Sequence, residues 1–334
     1  MATIIDVARR AGVAVTTVSR VMNNKGQVRQ ETRDRVLAAI DELNYRPSPA
    51  ARSLPRGTVH TVAVVVPFVT HPSAVARVQG IVHELRDLDM PVSIFDVETP
   101  SHENEFLDML ATSYRPEGAV IISLRPSEEQ LEGIRQAGLC PVFIDADVDS
   151  FSSVFIDDHR GGLLATKHLI AQGHTRIAFI GDVENQSFGF ESSKRRRRGY
   201  EEALGGAGIE WRSEYERLGE HGREPSRALI RELLTLPEPP TAVFASSDTQ
   251  AIGVLEAARE DGVDVPSQLS VIGFDDIESA RYFGLTTVRQ PLIESGRAAA
   301  QLVRKHMKDR TCAPEKIPLG LEIISRSSTA PPGS

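Results

Sequence analysis

Short runs of β-branched and other apolar residues recur through most of the chain, at 62–66, 92–95, 119–123, 142–145, 177–181, 242–245 and 271–274. Each is strand-sized, and stretches with helical spacing separate them. This alternation predicts a largely parallel sheet system with helices on both faces, long enough for two doubly wound lobes in series. The opening segment follows a different rule. Apolar residues there recur at helical spacing in three short stretches: Ile4–Ala11, Val15–Met22 and 31–43. Thr3 precedes the first as an N-cap, with Asp6 three residues on. Gly12 supplies a turn with positive φ. Asn23 and Asn24 end the second helix, which turns Val18, Val21 and Met22 inward and Thr16, Ser19 and Arg20 outward. In the third, Val36, Ala39, Ile40 and Leu43 share one face.

Charge sharpens the division. Residues 1–57 hold ten Lys/Arg against five Asp/Glu, and the remainder holds 28 against 41, within a chain of net charge −8. A basic head on an acidic body points to a local polyanion-binding module. Helix, Gly-containing turn and Arg-bearing second helix form a helix-turn-helix pattern, whose second helix fits the DNA major groove. The segment Pro47-Ser48-Pro49-Ala50-Ala51-Arg52-Ser53-Leu54-Pro55 is too short for a stable isolated helix, yet Ser48 is a good N-cap and Pro49 suits the first helical position. It reads as a hinge that becomes helical against a partner.

In sheets of this kind ligands bind beyond the carboxyl ends of the strands. The residues there are Phe68 and Thr70, Asp145, the 182–190 loop, Ser247 and Asp248, then Asp275 and Asp276. Carboxylates and hydroxyls bind ring hydroxyls, and aromatic faces cover the C–H side of a sugar. Some of these acids would instead cap helices, Asp248 and Asp276 first among them. The run Lys194-Arg195-Arg196-Arg197-Arg198 reads as a solvated helix face plus one ligand-binding Arg. His168 and His174 are six residues apart, no zinc spacing, and read as structural. The Gly205–Gly208 cluster follows a helix and is no dinucleotide loop. There is no Walker-type Gly-Lys-Ser and no nucleophile–base–orienter spacing, so no enzyme is expected. Two cysteines, Cys140 and Cys312, fit a reducing cytoplasm. No apolar run approaches membrane length, and the N-terminus lacks a signal-peptide pattern.

The strings Thr3-Ile4-Ile5-Asp6-Val7-Ala8-Arg9-Arg10-Ala11-Gly12-Val13, Thr17-Val18-Ser19-Arg20-Val21-Met22-Asn23 and Glu31-Thr32-Arg33-Asp34-Arg35-Val36, with Asn44-Tyr45-Arg46-Pro47 behind them, closely resemble the LacI/GalR family of bacterial repressors. Ala245-Ser246-Ser247-Asp248, Ser270-Val271-Ile272-Gly273-Phe274-Asp275-Asp276 and Thr286-Thr287-Val288-Arg289-Gln290-Pro291 resemble its periplasmic-binding-protein-like effector domain. The resemblance implies a DNA-binding domain over 1–46, a hinge over 47–57 and an effector and dimerisation domain over 58–334. Lobe 1 would comprise about 58–157 plus 290–318, and lobe 2 about 158–289 plus 319–330. It implies base reading by Val15, Thr16 and Arg20, and phosphate contacts from Thr17, Ser19, Asn23 and the start of the third helix at Arg29. Hinge contacts would come from Ala51 and from Leu54, an apolar minor-groove wedge. Effector contacts would come from Asp145, Arg196, Ser247, Asp275 and Gln290, with His221 at a lid position. Ala14 and Arg29 stand where relatives carry helix caps, each lost cap destabilising its helix by about 1 kcal/mol.

The resulting expectation is a cytoplasmic transcriptional repressor that needs no cofactor. It would bind a pseudo-palindromic operator as a homodimer, with no tetramerising heptad helix near the C-terminus, and a small sugar would release it. The alternatives are a corepressor-dependent regulator answering to a purine or sugar phosphate, a sugar-binding solute receptor, and a sugar hydrolase using Asp145 and Asp275.

Overall fold

The computed structural model describes residues 4–22, 28–43, 59–183, 188 and 190–333, and the chain divides into two units, Met1–His60 and Thr61–Ser334. The Thr3 cap, Asn23 and Asn24, and the hinge with Ala51 and Leu54 lie outside the described residues. So do 184–187 and 189 of the loop that follows Asp182.

The first unit holds α1 (Ile4–Ala11), α2 (Val15–Met22) and α3 (Gln30–Glu42). Val7, Ala8, Ala11, Val18, Val21, Val36 and Ala39 form its core, with Met22, Ile40 and Leu43 packed against them half-buried. Gly12 has φ +64°. Its N–H donates to Arg9 O and that of Val13 to Ala8 O, the paired bonds that close a helix at a left-handed residue. Arg10 reaches across to Glu42 at 2.7 Å and ties α1 to α3. Arg29 caps α3 with its backbone alone and makes no side-chain capping bond.

The second unit is two six-stranded sheets with the orders β11-β5-β4-β3-β1-β2 and β12-β10-β9-β8-β6-β7. The first contains β1 (Val59–Pro67), β2 (Val92–Val97), β3 (Pro116–Ile122), β4 (Val142–Ile144), β5 (Ser152–Phe155) and β11 (Lys316–Pro318). The second contains β6 (Ile177–Asp182), β7 (Glu216–Gly219), β8 (Ala242–Ala245), β9 (Ser270–Asp275), β10 (Thr286–Arg289) and β12 (Glu322–Ile324). β1 with β2, β3 with β4, β4 with β5, β5 with β11, and β7, β6, β8, β9 and β10 in turn pair in parallel, and β10 and β12 are antiparallel. In each sheet the strand order reverses beside a central strand, at β1/β3 and at β6/β8, which opens the crevice where such folds take ligands. Helices cover both faces, so Val62–Val66 is buried on both sides and reads as one continuous apolar run.

Two helix pairs pack closely. In the first lobe α4 (Pro72–Leu85) lies on α12 (Leu292–Lys308), and in the second α7 (Asp158–Ala171) lies on α8 (Ser192–Gly206). Glycines set both distances. A Cβ on Gly296 would lie 2.0 Å from Arg77 O and one on Gly80 2.1 Å from Ile293 O. Likewise a Cβ on Gly162 would lie 2.0 Å from Arg196 O and one on Gly199 2.1 Å from His159 O. Any side chain there would strike a neighbouring backbone, so only glycine permits this approach.

Five strands are absent from the apolar pattern: β5, β7, β10, β11 and β12. Among the described residues no helix is long and apolar enough to cross a membrane.

Candidate functional site

A cavity of about 690 Å³ lies between the two lobes, at the carboxyl ends of the strands. The chain leaves several of those strands through left-handed residues: Phe68 (φ 49°) after β1, Ser123 (55°) after β3, Asp145 (56°) after β4, and Asp275 (122°) with Asp276 (56°) at the end of β9. Aspartate tolerates this region, whereas Phe68 carries a steric strain of the kind that concentrates at functional turns.

The floor is a continuous polar network spanning both lobes. Arg77, on the buried face of α4, donates to Asp145 and at 3.1 Å to Gln290 Oε1. Gln290 Nε2 donates to Asp275 Oδ1. Arg196 NH1 lies 3.9 Å from the same carboxylate. The Arg196 guanidinium also donates to Asp158 at 2.8 Å and to Ser246 O at 2.6 Å, and it lies over the Phe274 ring at 3.6 Å. Burial pushes the Asp145 carboxyl up, with Arg77 opposing it, and burial does the same to Asp275 against the pull of Arg196. Burial would lower Arg196, but Asp158 and Asp275 more than offset it and leave it raised. It stays cationic.

A second polar tier belongs to the other lobe. Asp182 Oδ1 accepts from Gln250 Nε2 at 2.9 Å and pairs with His221 Nδ1 at 3.1 Å. Burial lowers the His221 pKa, and the Asp182 hydrogen bond and charge outweigh it, so the net shift is upward. Opposite His221, across the cleft, His71 sits with ring centroids 5.2 Å apart. Burial and the His221 charge push His71 down. An aromatic wall continues from it: Phe68 stacks on His71 at 5.1 Å and meets Phe188 edge-on at 5.7 Å, and Phe188 stacks on Phe190 at 5.2 Å.

The geometry brings together Phe68, Asp145, Arg196, His221, Ser247, Asp275 and Gln290 on the cavity wall. Thr70 is excluded: it is exposed beyond the turn after β1 and does not line the cavity. Ser247 has a second role as N-cap of α10 (Asp248–Glu260), accepting from Gln250 N at 3.2 Å. Neither acid expected to cap a helix does so. Asp248 is fully buried at the first helical position, accepting from Thr287 Oγ1 and Ile277 N. Asp276 accepts from Arg289 and Arg326. In the basic run Arg196 alone is buried, while Arg195 and Arg197 pair with Glu191, Glu201 and Glu216. His168 and His174 bind the C-terminal segment, at Thr329 and Ala330 O.

His71, Arg77 and Asp158 lie in the site and are not among the residues read from the strand ends, whereas Asp182 opens the 182–190 loop, which is among them. Arg77 had a signal: it shares the buried stripe of α4 with Ala74, Gly80, Ile81 and Leu85, where an unpaired charge would be costly. In the first unit, Val15, Thr16 and Arg20 are exposed on α2 opposite the buried Val18 and Val21, with Thr17 and Ser19 half-buried beside them and Arg29 exposed.

Comparison with known proteins accords with this architecture. Residues 3–48 match the model for bacterial regulatory proteins of the lacI family, and residues 166–329 match a periplasmic binding protein-like domain. The chain is 31% identical over 334 residues to the HTH-type transcriptional repressor PurR of Photobacterium profundum, covering 98% of each sequence. Among solved structures it is similar to the transcriptional regulator CelR in complex with cellobiose, with 30% identity, TM-score 0.71, and coverage of 98% of this chain and 100% of that one. It is also similar to the Lac repressor dimer bound to operator and the anti-inducer ONPF, with 25% identity, TM-score 0.82, and coverage of 98% and 99%. With both its helical head and its two-lobed body accounted for, this chain belongs to the lacI family of bacterial regulatory proteins.

Proposed function

We propose that the protein is a homodimeric transcriptional repressor whose operator affinity is set by a small neutral sugar bound between the lobes. The observation that carries this reading is the floor Asp145–Arg77–Gln290–Asp275–Arg196, which alternates donors and acceptors across both lobes beneath an aromatic wall. A polyol presents hydroxyls that both donate and accept, and its C–H face suits an aromatic surface. Among the described residues around the cavity, five cationic side chains face six carboxylates. That near balance favours a neutral ligand over a phosphate. A sugar that contacts both lobes stabilises one lobe arrangement over others, and this differential affinity is what shifts the repressor population. The cellobiose held by CelR is of the same chemical class.

On the head, Val15, Thr16 and Arg20 would meet base edges, and Thr17, Ser19, Asn23 and Arg29 phosphates, with Ala51 and Leu54 acting from the hinge. Val15 and Thr16 form no bidentate base pair, so specificity rests on Arg20 and on DNA shape. Two heads on a two-fold dimer match a pseudo-palindrome. Exposed Val75 and Val82 on α4, with Ile94 on β2, offer the first lobe an apolar face for that dimer.

Phe190 on the cavity wall, backed by the stacked Phe188, favours one other occupant, a purine acting as corepressor, the ligand class suggested by the name of the PurR relative. A thermal-shift screen of monosaccharides, disaccharides, purines and sugar phosphates separates the two, because a ligand of the folded body raises its melting temperature by mass action. The hit is then added to the protein bound to DNA selected from a random library. Release by a neutral sugar supports the reading. Stabilisation by purines alone, with tighter DNA binding, replaces it by the corepressor.

A further inference from the structure

The two cysteines of the chain are 172 positions apart and lie on neighbouring loops. Cys312 lies between α12 and β11, and its Sγ is 3.1 Å from His306 Nδ1 and 2.8 Å from Asp309 O. His306 is buried, with its other nitrogen, Nε2, 2.9 Å from Ser152 Oγ. Ser152 Oγ also accepts from Glu315 N at 2.9 Å. Cys140, just before β4, places its Sγ 3.9 Å from Arg310 O, two residues from Cys312, and Arg310 in turn donates to Gly138 O. Both thiols are partly exposed. They lie at the amino-terminal ends of β4 and β11, opposite the effector cleft and outside the network of its floor.

We propose that Cys312 is an oxidant-sensitive thiol, activated by His306 and resolved by Cys140 into a disulfide. When Nε2–H donates to Ser152, Nδ1 presents a free lone pair to Cys312; burial keeps the ring neutral and makes it a weaker base, so the direct contact must carry the transfer. The Cys312 proton can then pass to Nδ1 with no heavy atom moving, since Ser152 Oγ accepts the same Nε2–H before and after. This is the nucleophile, base and orienter arrangement in general form. Charge supports it: the Lys305 ammonium faces Cys312, while Glu315 and Asp309 face Lys305. The Asp309 carbonyl competes for the thiol proton and repels a thiolate, which is why the base must be adjacent.

The chemistry with hydrogen peroxide balances. Sulfur attacks one peroxide oxygen, an S–O bond forms, the O–O bond breaks, and the departing hydroxide takes the proton from His306 and leaves as water. Cys140 sulfur then attacks the sulfenic acid, the S–O bond gives way to S–S, and the Cys140 proton leaves with hydroxide as a second water. Peroxide is reduced and two thiols are oxidised. The cross-link would join the loop before β4 to the loop before β11, at the end of the sheet where β1 begins.

The test uses the full chain, reduced and freed of reductant, so it is independent of operator and effector. Limiting iodoacetamide at pH 7 is followed at both cysteines by peptide mass spectrometry, Cys140 serving as internal reference. Cys312 is expected to react at least about tenfold faster, and His306→Gln to remove most of that excess. Peroxide should give an intramolecular disulfide in the wild type, a dimedone-trapped sulfenic acid at Cys312 in Cys140→Ser, and neither product in Cys312→Ser. Equal alkylation rates in the wild type, faster oxidation of Cys140, or a wild-type sulfenic acid that never forms the disulfide would each overturn the proposal.

Discussion

Replacing Arg196 by Met tests the cavity floor and the stability of its lobe together. The guanidinium is nearly buried and holds Asp158 through two contacts of 2.8 Å, Ser246 O at 2.6 Å and Asp275 at 3.9 Å. Met keeps the contact with Phe274 and removes every one of those donors. Asp158, with its side chain only 12% exposed, would then be buried without its counter-charge, while Asp275 would keep the pull of Arg77 and His221 and its bond from Gln290. Breaking one half of such a pair costs about 3–5 kcal/mol, mostly from the carboxylate left behind. Neutralising that carboxylate with Asp158→Asn should therefore recover part of the loss, so the double variant should be more stable than the sum of the single effects by at least about 0.5–3 kcal/mol. The sole tryptophan, Trp211, follows α8 in the same lobe and is 41% exposed, so its fluorescence during urea unfolding reports on this half of the body. Effector stabilisation should vanish in Arg196→Met while DNA binding by the head persists. An Arg196→Met cost below about 1 kcal/mol, or strict additivity with Asp158→Asn, would refute the view that this pair is a coupled, desolvated element.

Asp275→Asn should abolish the effector response and leave operator affinity intact in fluorescence anisotropy; a normal response would place the ligand elsewhere. Because Asp182 holds the folded His221 pKa above its ordinary 6.5, the stabilisation it gives is complete below pH 6.5 and fades as pH rises through the folded value. Wild type and His221→Gln should therefore differ in melting temperature at pH 6 and converge by about pH 9, and a difference that grows with pH would reverse the assignment. Gly296→Val drives a Cβ into Arg77 O, so circular dichroism during urea unfolding should show the body destabilised by about 1–3 kcal/mol. Leu54→Ala should weaken operator binding several-fold without altering effector binding in calorimetry, and equal operator affinity would remove the wedge.

Most strands found from sequence are buried on both faces, where a β-branched run has no competing interpretation; β2, at a sheet edge with Ile94 exposed, was found by its apolar run alone. β5 carries Ser152 and Ser153 in its first two positions, and β7 is Glu216-Arg217-Leu218-Gly219, half-buried at a sheet edge. Neither contains a run of apolar residues, because edge and short strands do not need one. The site was legible wherever the rule about strand ends applies, at Phe68, Asp145, Ser247 and Asp275, and the resemblance added Arg196, His221 and Gln290. It was illegible on helices. Asp158 begins α7 on the stripe of Gly161, Gly162, Ala165 and Thr166, and its role depends on Arg196 lying across a helix contact that only the fold creates. Thr70 misled because it is exposed at the turn, between Phe68 and His71, which both line the cavity while Thr70 does not.

The two arginines of the floor occupy corresponding places. Each lies on a helix pressed against a second helix through glycines, and in each case the arginine's own carbonyl is the atom that a Cβ on the facing glycine would strike. Arg77 faces Gly296, and Arg196 faces Gly162. The close helix pair thus fixes the backbone from which the guanidinium springs, and the carboxylates Asp145 and Asp158 fix its direction. Long flexible side chains normally lose entropy when a ligand immobilises them. Here that cost is met on folding, so a ligand finds donors already aimed. Between the two lies Gln290 at the crossover, accepting from Arg77 in one lobe and donating to Asp275 in the other. A shift of one lobe against the other must break or re-form one of those bonds. Gln290→Leu should therefore uncouple effector binding, read by calorimetry, from operator release, read by fluorescence anisotropy, more completely than it weakens either alone.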